Sequence, residues 1–228
     1  MLAAQLVGPS GEVVGVERDP HSIKRVRARV TEAGLHNVSF IECDVSEVRS
    51  SKPFDAALGR FILQWVPDPV AVLRCLAQLV RPGGVFAFHE VSYAAFLALC
   101  ASLPLWSATA SLVGEIMRRS GANTEIGVEL HQMFLEAGLP APTMRMEIVL
   151  GSDPDFIRWI YDLLCSLRPQ LQQQNLSLKP LGDFETLLAR IQSEVAASKS
   201  VVPFGAMVGA WPTSPQVRVG VCESPRRI

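Results

Sequence analysis

Two acidic side chains close successive short apolar segments of the chain. Glu17 ends the segment GEVVGVE, and Asp44 directly follows FIEC, the end of the next one. A carboxylate accepts hydrogen bonds through two oxygens, so one acid could bind both hydroxyls of an adenosine ribose while the other accepts from the adenine amino group. A lone acid at a strand end is more often a solvated residue. The pair at successive strand ends favours an adenosine site.

Other candidate functional side chains follow two later segments. His89 and Glu90 end VFAFHE, and both are candidate general bases. A histidine bonded to the backbone at a strand end is the competing interpretation of His89, and plain core packing competes for Trp65. The candidate contacts to a second, apolar substrate are Gln64, Trp65, Tyr93 and Trp106. Many aromatic residues after His89 favour an apolar ligand.

The elements that would position these residues alternate between strand and helix. Aspartate-proline pairs at Asp19 and Asp68 open two helical apolar stripes, since aspartate caps a helix and proline suits its first turn. This alternation predicts an α/β protein with a mostly parallel sheet, helices on both faces and right-handed crossovers. Strands are expected near residues 12–17, 38–42, 54–58 and 85–89 in one sheet, with closing strands near 143–150 and 201–211, one of them antiparallel.

Two further helical stretches interrupt this rhythm. They lie within about 92–124 and 152–199, and helices inserted after strand ends would cover the carboxyl edge of the sheet, where open α/β folds bind ligands. We therefore expect one domain over 1–211 with these stretches as a cap. Residues 212–228 are expected to form a C-terminal tail.

Composition excludes several functional classes. Apolar residues make up 49% of the 228 residues and charged residues 19%, which is typical of a folded α/β chain. A net charge of -1 provides no general attraction to nucleic acid or to acidic membranes. The five cysteines form no CxxC pair, which favours reduced thiols in a cytoplasmic protein without a metal site. We expect neither a membrane span nor a signal peptide.

Five segments carry a resemblance to a known family. In order, they are GEVVGVERDP, FIECDV, FDAALGRFILQWVPDP, LVRPGG and VFAFHE. The sequence resembles class I S-adenosylmethionine-dependent methyltransferases, especially those acting on small molecules, and this implies a Rossmann-like fold. By resemblance, the cofactor S-adenosylmethionine would contact Glu17 at its ribose, Arg18 and Asp44 with the Val45 backbone at its adenine, and Gly59 and Arg60 at its methionine part. A small-molecule acceptor is the implied substrate.

The sequence departs from that family at its beginning. The family places a strand and a GxGxG loop before the helix that begins here at Met1, and this strand would lie in the middle of the sheet. Three explanations stay open: a start assigned too far downstream, a degenerate copy, or replacement by another segment such as QVRVGVC at 216–222. A cofactor held only by its adenosine half would leave the methyl group misplaced, so weak binding and little turnover are expected.

Two other functions compete with methyl transfer. One is a noncatalytic methyltransferase-like remnant that serves as a dimerisation or scaffold module, which the absent glycine loop favours. The other is a nicotinamide-dependent oxidoreductase, which would need a GxGxxG motif and a Tyr-Lys pair that this sequence lacks. The sequence leaves open the acceptor, the atom methylated and whether the chain forms a homodimer.

Overall fold

The computed structural model describes residues 2–100 and 102–212. Its helices are α1 (Leu2–Leu6), α2 (Pro20–Glu32), α3 (Pro69–Leu79), α4 (Tyr93–Leu97), α5 (Pro104–Arg119), α6 (Ile126–Glu136), α7 (Pro154–Ser166), α8 (Arg168–Gln173) and α9 (Leu187–Ser198). Its strands are β1 (Val13–Glu17), β2 (Val38–Glu42), β3 (Phe54–Arg60), β4 (Val80–Ser92), β5 (Pro142–Glu147), β6 (Leu150–Gly151), β7 (Val202–Pro203) and β8 (Ala206–Pro212). The candidate strand at 216–222 lies outside the described residues.

The first unit is a parallel pair of strands joined by a helix. β1 pairs with β2 in a register that places Val13 opposite Val38 and Glu17 opposite Glu42. The Asp19 side chain accepts hydrogen bonds from the first backbone N–H groups of α2, as the capping pattern predicts. The parallel pairing of β1 and β2 therefore brings the carboxyl ends of both strands to one edge of the sheet.

A four-stranded sheet forms the second unit, in the order β3-β4-β8-β5. β4 is parallel to β3, whereas β8 is antiparallel to both of its neighbours, β4 and β5. The predicted antiparallel closing strand is thus β8, and the Rossmann-like α/β class is confirmed, with both parallel and antiparallel strand pairs among the described residues. The prediction of one continuous sheet is wrong for the described residues: β1 and β3 belong to separate sheets, and the family's central strand would lie between them.

The two faces of the four-stranded sheet differ in their environment. On one face, Phe86 and Phe88 pack against Phe134 of α6 with ring centroids 5.8 and 6.4 Å apart, in edge-to-face geometry. On the other face, Leu58 and Val85 are 63% and 56% exposed. The apolar core of this sheet is therefore built on one face within the described residues.

The helices expected to form the cap pack around a second core. α5, α7 and α9 surround a cluster that includes Phe96, Trp106 and Ile191, all fully buried. The carboxylate of Glu194 in α9 accepts from the backbone N–H groups of Leu105 and Trp106, at 2.7 and 2.9 Å. Because those groups begin α5, they have no partner within their own helix, and Glu194 supplies it.

The first prediction concerns this helix-capping carboxylate. Glu194→Ala should lower the free energy of unfolding by about 1–2 kcal/mol, because two N–H groups at the start of α5 lose their acceptor. Chemical denaturation measured by circular dichroism tests this. The matched control is Glu32→Ala, which removes an exposed acid at the end of α2 and should change stability by less than about 0.5 kcal/mol. Equal effects of the two substitutions would contradict the capping role.

Candidate functional site

A pocket of about 220 Å³ lies at the carboxyl ends of β1 and β2. Its lining includes Glu17, Arg18, Asp44 and Val45, the residues assigned to an adenosine site on the sequence. They meet because β1 and β2 are parallel neighbours in register, so their ends share one edge. The structure therefore brings these four residues together.

Glu17 presents one carboxylate oxygen to its own backbone and leaves the other available. Its Oε1 accepts from the N–H groups of Arg18 and Asp19, at 2.8 and 2.9 Å. Within the described residues, Oε2 has no hydrogen-bond donor, and the side chain is half-buried at the pocket. The two backbone bonds hold the carboxylate in place while Oε2 stays free to accept from a ligand hydroxyl.

Asp44 is ionised and held by its local turn. Its Oδ1 accepts from the backbone N–H and the hydroxyl of Ser46, at 2.9 and 2.6 Å. These hydrogen bonds, aided by the charge of Arg18, lower the pKa of the Asp44 carboxyl. The Arg18 guanidinium lies 3.8 Å from Oδ2, across the pocket lining. Asp44 is thus an acceptor at neutral pH.

The opposite wall of the pocket comes from the segment after β3. Phe61, Ile62, Trp65 and Val66 line it. Trp65 was expected to contact the acceptor, but the structure places it beside Glu17 and Asp44 instead. Phe61 has φ = 54°, a left-handed conformation that is uncommon for a bulky residue and concentrates at functional sites. Sequence reasoning missed Phe61, Ile62 and Val66, since no pattern in FILQWV marks them.

Glu90 holds the backbone of this segment through hydrogen bonds. Its side chain is fully buried, and Oε1 accepts from the backbone N–H groups of Ile62 and Leu63, both at 3.0 Å. Burial raises the pKa of the Glu90 carboxyl, against the lowering effect of these hydrogen bonds. Glu90 does not line either pocket, so the expectation that it acts as a general base is not supported. The structure gives it the geometry of a positioning residue for the segment that carries Phe61 and Trp65.

His89 lies on the other face of β4 from Glu90, because side chains alternate along a strand. It lines a separate pocket of about 370 Å³ on the exposed face, together with Gly59, Arg60 and Trp211. Burial and the charge of Arg60 lower the pKa of His89, so the imidazole is neutral at pH 7. The structure therefore does not place His89, Gly59 and Arg60 in the pocket that Glu17, Arg18, Asp44 and Val45 line.

Gly59 has a packing reason for its small size. A Cβ atom built at Gly59 would collide with the Phe88 ring in the neighbouring strand. The absence of a side chain at Gly59 thus leaves room for the Phe88 ring over β3. The resemblance had instead implied that Gly59 contacts the methionine part of the cofactor.

Comparison with known proteins identifies the family. A family profile described as a methyltransferase domain matches residues 1–138. The chain belongs to this methyltransferase family. A demethylmenaquinone methyltransferase of Listeria monocytogenes is 36% identical over 93 residues, and an aklanonic acid methyltransferase of a Streptomyces species is 33% identical over 87 residues.

The curated matches cover only part of each protein. The Listeria match spans 40% of this chain and 39% of the relative, so the chain matches less than half of that protein's length. A solved structure from Bacillus halodurans, described as a candidate methyltransferase, superposes with a TM-score of 0.58 over 93% of this chain and 88% of that one, at 14% identity. This likeness shows the fold.

These findings confirm the expected class I methyltransferase family and its Rossmann-like fold. S-adenosylmethionine is the cofactor of that family, as the resemblance implied. Within the described residues, no helix has the length and apolarity that crossing a membrane requires, and no three potential metal ligands cluster together. The cytoplasmic location, the homodimer and the absence of nucleic-acid partners stay predictions.

The remaining residues expected to contact an acceptor are buried. Gln64 is 3% exposed, and its backbone carbonyl accepts from the Asn123 N–H at 2.9 Å. Tyr93 and Trp106 lie inside the cap core, 6% and 0% exposed. The four predicted substrate contacts therefore separate. Trp65 lines the pocket at the ends of β1 and β2, Tyr93 and Trp106 lie in the cap, and Gln64 is buried after β3.

The second prediction concerns Glu90 and pH. Because burial raises its pKa above the unfolded value, the folded protein binds the Glu90 proton more tightly, and stability should fall as pH rises between the two values. Glu90→Gln mimics the protonated carboxyl and removes this loss. The quantity to compare is the free energy of unfolding of the parent chain minus that of Glu90→Gln. As pH rises from the unfolded-state pKa to the folded-state pKa of Glu90, this difference should fall by up to about 1.4 kcal/mol per pH unit.

Urea unfolding at several values between about pH 4 and pH 8 measures this difference. Glu12→Gln, which alters an exposed acid before β1, is the control and should follow the parent chain throughout. Parallel curves for the parent chain and Glu90→Gln would show that Glu90 is ionised with an ordinary pKa.

Proposed function

We propose that this chain binds the adenosine part of S-adenosylmethionine in the pocket between β1, β2 and the segment 61–66, and transfers the methyl group to a small, apolar acceptor. The observation that carries the proposal is the meeting of Glu17 and Asp44 in one pocket. In this assignment Glu17 holds the ribose, and Asp44 and the Val45 backbone bind the adenine edge.

The chemistry of the pocket fits that ligand. The free Oε2 of Glu17 can accept from ribose hydroxyls, and the ionised Asp44 can accept from an exocyclic amine. Phe61 and Trp65 supply aromatic surface for a base between these acceptors. Arg18 lies beside Asp44, where its guanidinium can pack along the adenine.

The size of the pocket limits what it holds. Ligand pockets usually measure about 300–1,000 Å³, and this one is about 220 Å³. Adenosine therefore fits better than the whole cofactor. Gly59 and Arg60, proposed for the methionine part, directly precede Phe61 in the chain but line the separate pocket on the exposed face of the sheet. This arrangement supports firm contacts to the nucleoside and weaker ones to the methionine end.

Catalysis in this proposal depends on orientation more than on a protein base. When bound, S-adenosylmethionine would supply an electrophilic methyl group on a sulfonium, while Glu17, Asp44 and the Val45 backbone would hold its adenosine part. The chain's own contribution is to place the acceptor in line with the methyl group, which can supply roughly 7–11 kcal/mol in well-aligned systems. His89 faces away from this pocket, so we propose that the acceptor proton leaves to solvent.

The acceptor class is proposed from two further observations. The relatives are named for demethylmenaquinone and aklanonic acid, both small molecules. The cap core next to the pocket is apolar and aromatic. A small, apolar acceptor fits both.

The third prediction tests Glu17. Glu17→Ala should weaken binding of S-adenosylhomocysteine and of adenosine equally, by about 1.5–3 kcal/mol, because the lost hydrogen bonds involve a charged acceptor and only the shared nucleoside. Isothermal titration calorimetry measures both affinities. Glu12→Ala removes the same charge from an exposed position before β1 and should leave both affinities unchanged.

Titration with NAD⁺ separates the oxidoreductase alternative, because that cofactor shares the adenosine part. Tighter binding of NAD⁺ than of S-adenosylhomocysteine would overturn the methyltransferase proposal. An unchanged affinity in Glu17→Ala would remove Glu17 from the site.

A further inference from the structure

The exposed face of the four-stranded sheet carries the larger of the two pockets described above. Its volume of about 370 Å³ lies within the usual range of about 300–1,000 Å³ for ligand sites. Its lining crosses three neighbouring strands, with Leu58 and Arg60 on β3, Ala87 and His89 on β4, and Trp211 on β8. None of these residues lines the pocket at the ends of β1 and β2. The adenosine assignment therefore accounts for none of them.

Trp211 forms an aromatic wall of this pocket. Gly209 lies directly opposite His89 in the pairing of β8 with β4, and a Cβ atom built at Gly209 would lie 3.3 Å from Cζ3 of the Trp211 ring. The indole therefore lies along β8 over Gly209, in the strand next to His89. Because Trp211 is 39% exposed, part of its ring is accessible to a ligand.

The floor beside this wall is apolar. Ala87 lies opposite Leu58 in the register of β3 and β4, and alternation along each strand directs both side chains to the face that carries Arg60 and His89. A ligand on this floor would remove the exposed Leu58 side chain from water. Burial of that apolar surface is favourable, so the body of the ligand should be apolar.

Arg60 supplies a positive charge at one end of the pocket. Within the described residues, no carboxylate lies within ion-pair distance of its guanidinium. Arg145 lies on the same face, opposite Gly209, but its guanidinium is paired with Glu147 at 2.8 Å. The Arg60 guanidinium packs over the Phe61 ring, 5.2 Å from its centroid, which restricts its position. The charge that this face leaves unpaired is therefore positive.

His89 lies between the cation and the aromatic wall. It is opposite Arg60 in the register of β3 and β4 and opposite Gly209 in that of β4 and β8. Burial and the charge of Arg60 lower the pKa of His89. The neutral imidazole can donate one hydrogen bond to an anion beside Arg60.

We propose that this pocket binds a small, planar, apolar carboxylate, with the carboxylate at Arg60 and His89 and the ring against Leu58 and Trp211. The inference goes beyond the proposed function, because this site is separate from the pocket proposed for adenosine. A guanidinium matches the two oxygens of a carboxylate, and an indole packs well against an aromatic ring.

The unpaired charge distinguishes this occupant from a second copy of the chain. A two-fold contact presents the same surface from both copies, so a contact centred on this pocket would bring two Arg60 side chains together without an acid between them. A carboxylate ligand instead pairs the charge and covers the apolar floor.

The test uses two probes matched in size and shape. 2-Naphthoate carries a charged carboxylate, and 2-naphthamide has the same ring system with a neutral amide. The ¹⁵N-labelled chain has four tryptophans, and each indole N–H gives its own NMR signal. 2-Naphthoate should shift the Trp211 signal saturably and leave the signal of the buried Trp106 in place. Its affinity, measured by isothermal titration calorimetry, should exceed that of 2-naphthamide by about three- to tenfold, because the exposed cation is partly screened by water.

Variants assign the charge to one residue. Arg60→Gln should reduce the affinity for 2-naphthoate to that for 2-naphthamide and leave the amide unchanged. Arg158→Gln removes the same charge from an exposed position on α7 and is the matched control, which should change neither affinity. Trp211→Leu should weaken both probes, because both pack their rings against the indole.

Equal affinity of the parent chain for the two probes, or a shift of Trp65 without Trp211, would overturn the carboxylate site. Saturating S-adenosylhomocysteine should leave the affinity for 2-naphthoate unchanged. Displacement of 2-naphthoate would show instead that Arg60 binds the methionine end of that ligand, which refutes a separate site. Probe binding that disappears at high protein concentration, together with a doubled mass in analytical ultracentrifugation, would assign this face to contact between two copies.

Discussion

The buried carboxyl group of Glu90 links strand β4 to the segment that follows β3. Its bonds to Ile62 and Leu63 fix the turn after β3 at the point where the chain leaves the sheet. That turn places Phe61 and Trp65 in the wall of the pocket that we propose for adenosine, and its Gln64 carbonyl accepts from the Asn123 N–H. Burying an acid is costly, and the two backbone hydrogen bonds that Glu90 accepts offset part of this cost while they order the turn.

Much of the fold followed from local patterns. Helix starts at Asp19 and Asp68 were predictable because a capping side chain and proline act on their own helix. The strand ends of β1 and β2 were predictable for a similar reason, since alternating residues and the following turn mark them. The grouping of Glu17 with Asp44 then required only that neighbouring parallel strands end at one edge.

The candidate residues that the structure places apart from Glu17 and Asp44 depend on non-local geometry. His89 and Glu90 are adjacent in the chain, but alternation along β4 directs them to opposite faces, and only the packing of helices decides which face is buried. Gly59 resembles a ligand-binding glycine, yet its small size accommodates Phe88 of the next strand. Phe61 had no recognisable signal, because a left-handed backbone at phenylalanine is imposed by tertiary contacts.

The division of the sheet has a consequence for motion. One wall of the pocket proposed for adenosine belongs to the β1–α2–β2 unit, and the other belongs to the turn after β3. No strand hydrogen bonds join these two units within the described residues. The β1–α2–β2 unit can therefore open while the strand hydrogen bonds of the four-stranded sheet stay intact. Such local opening requires less free energy than global unfolding. A nucleoside in the pocket would contact both walls and act as a clamp. Its binding would slow amide hydrogen exchange in β1 and β2, far from any contact with the cap, because the closed arrangement alone binds it.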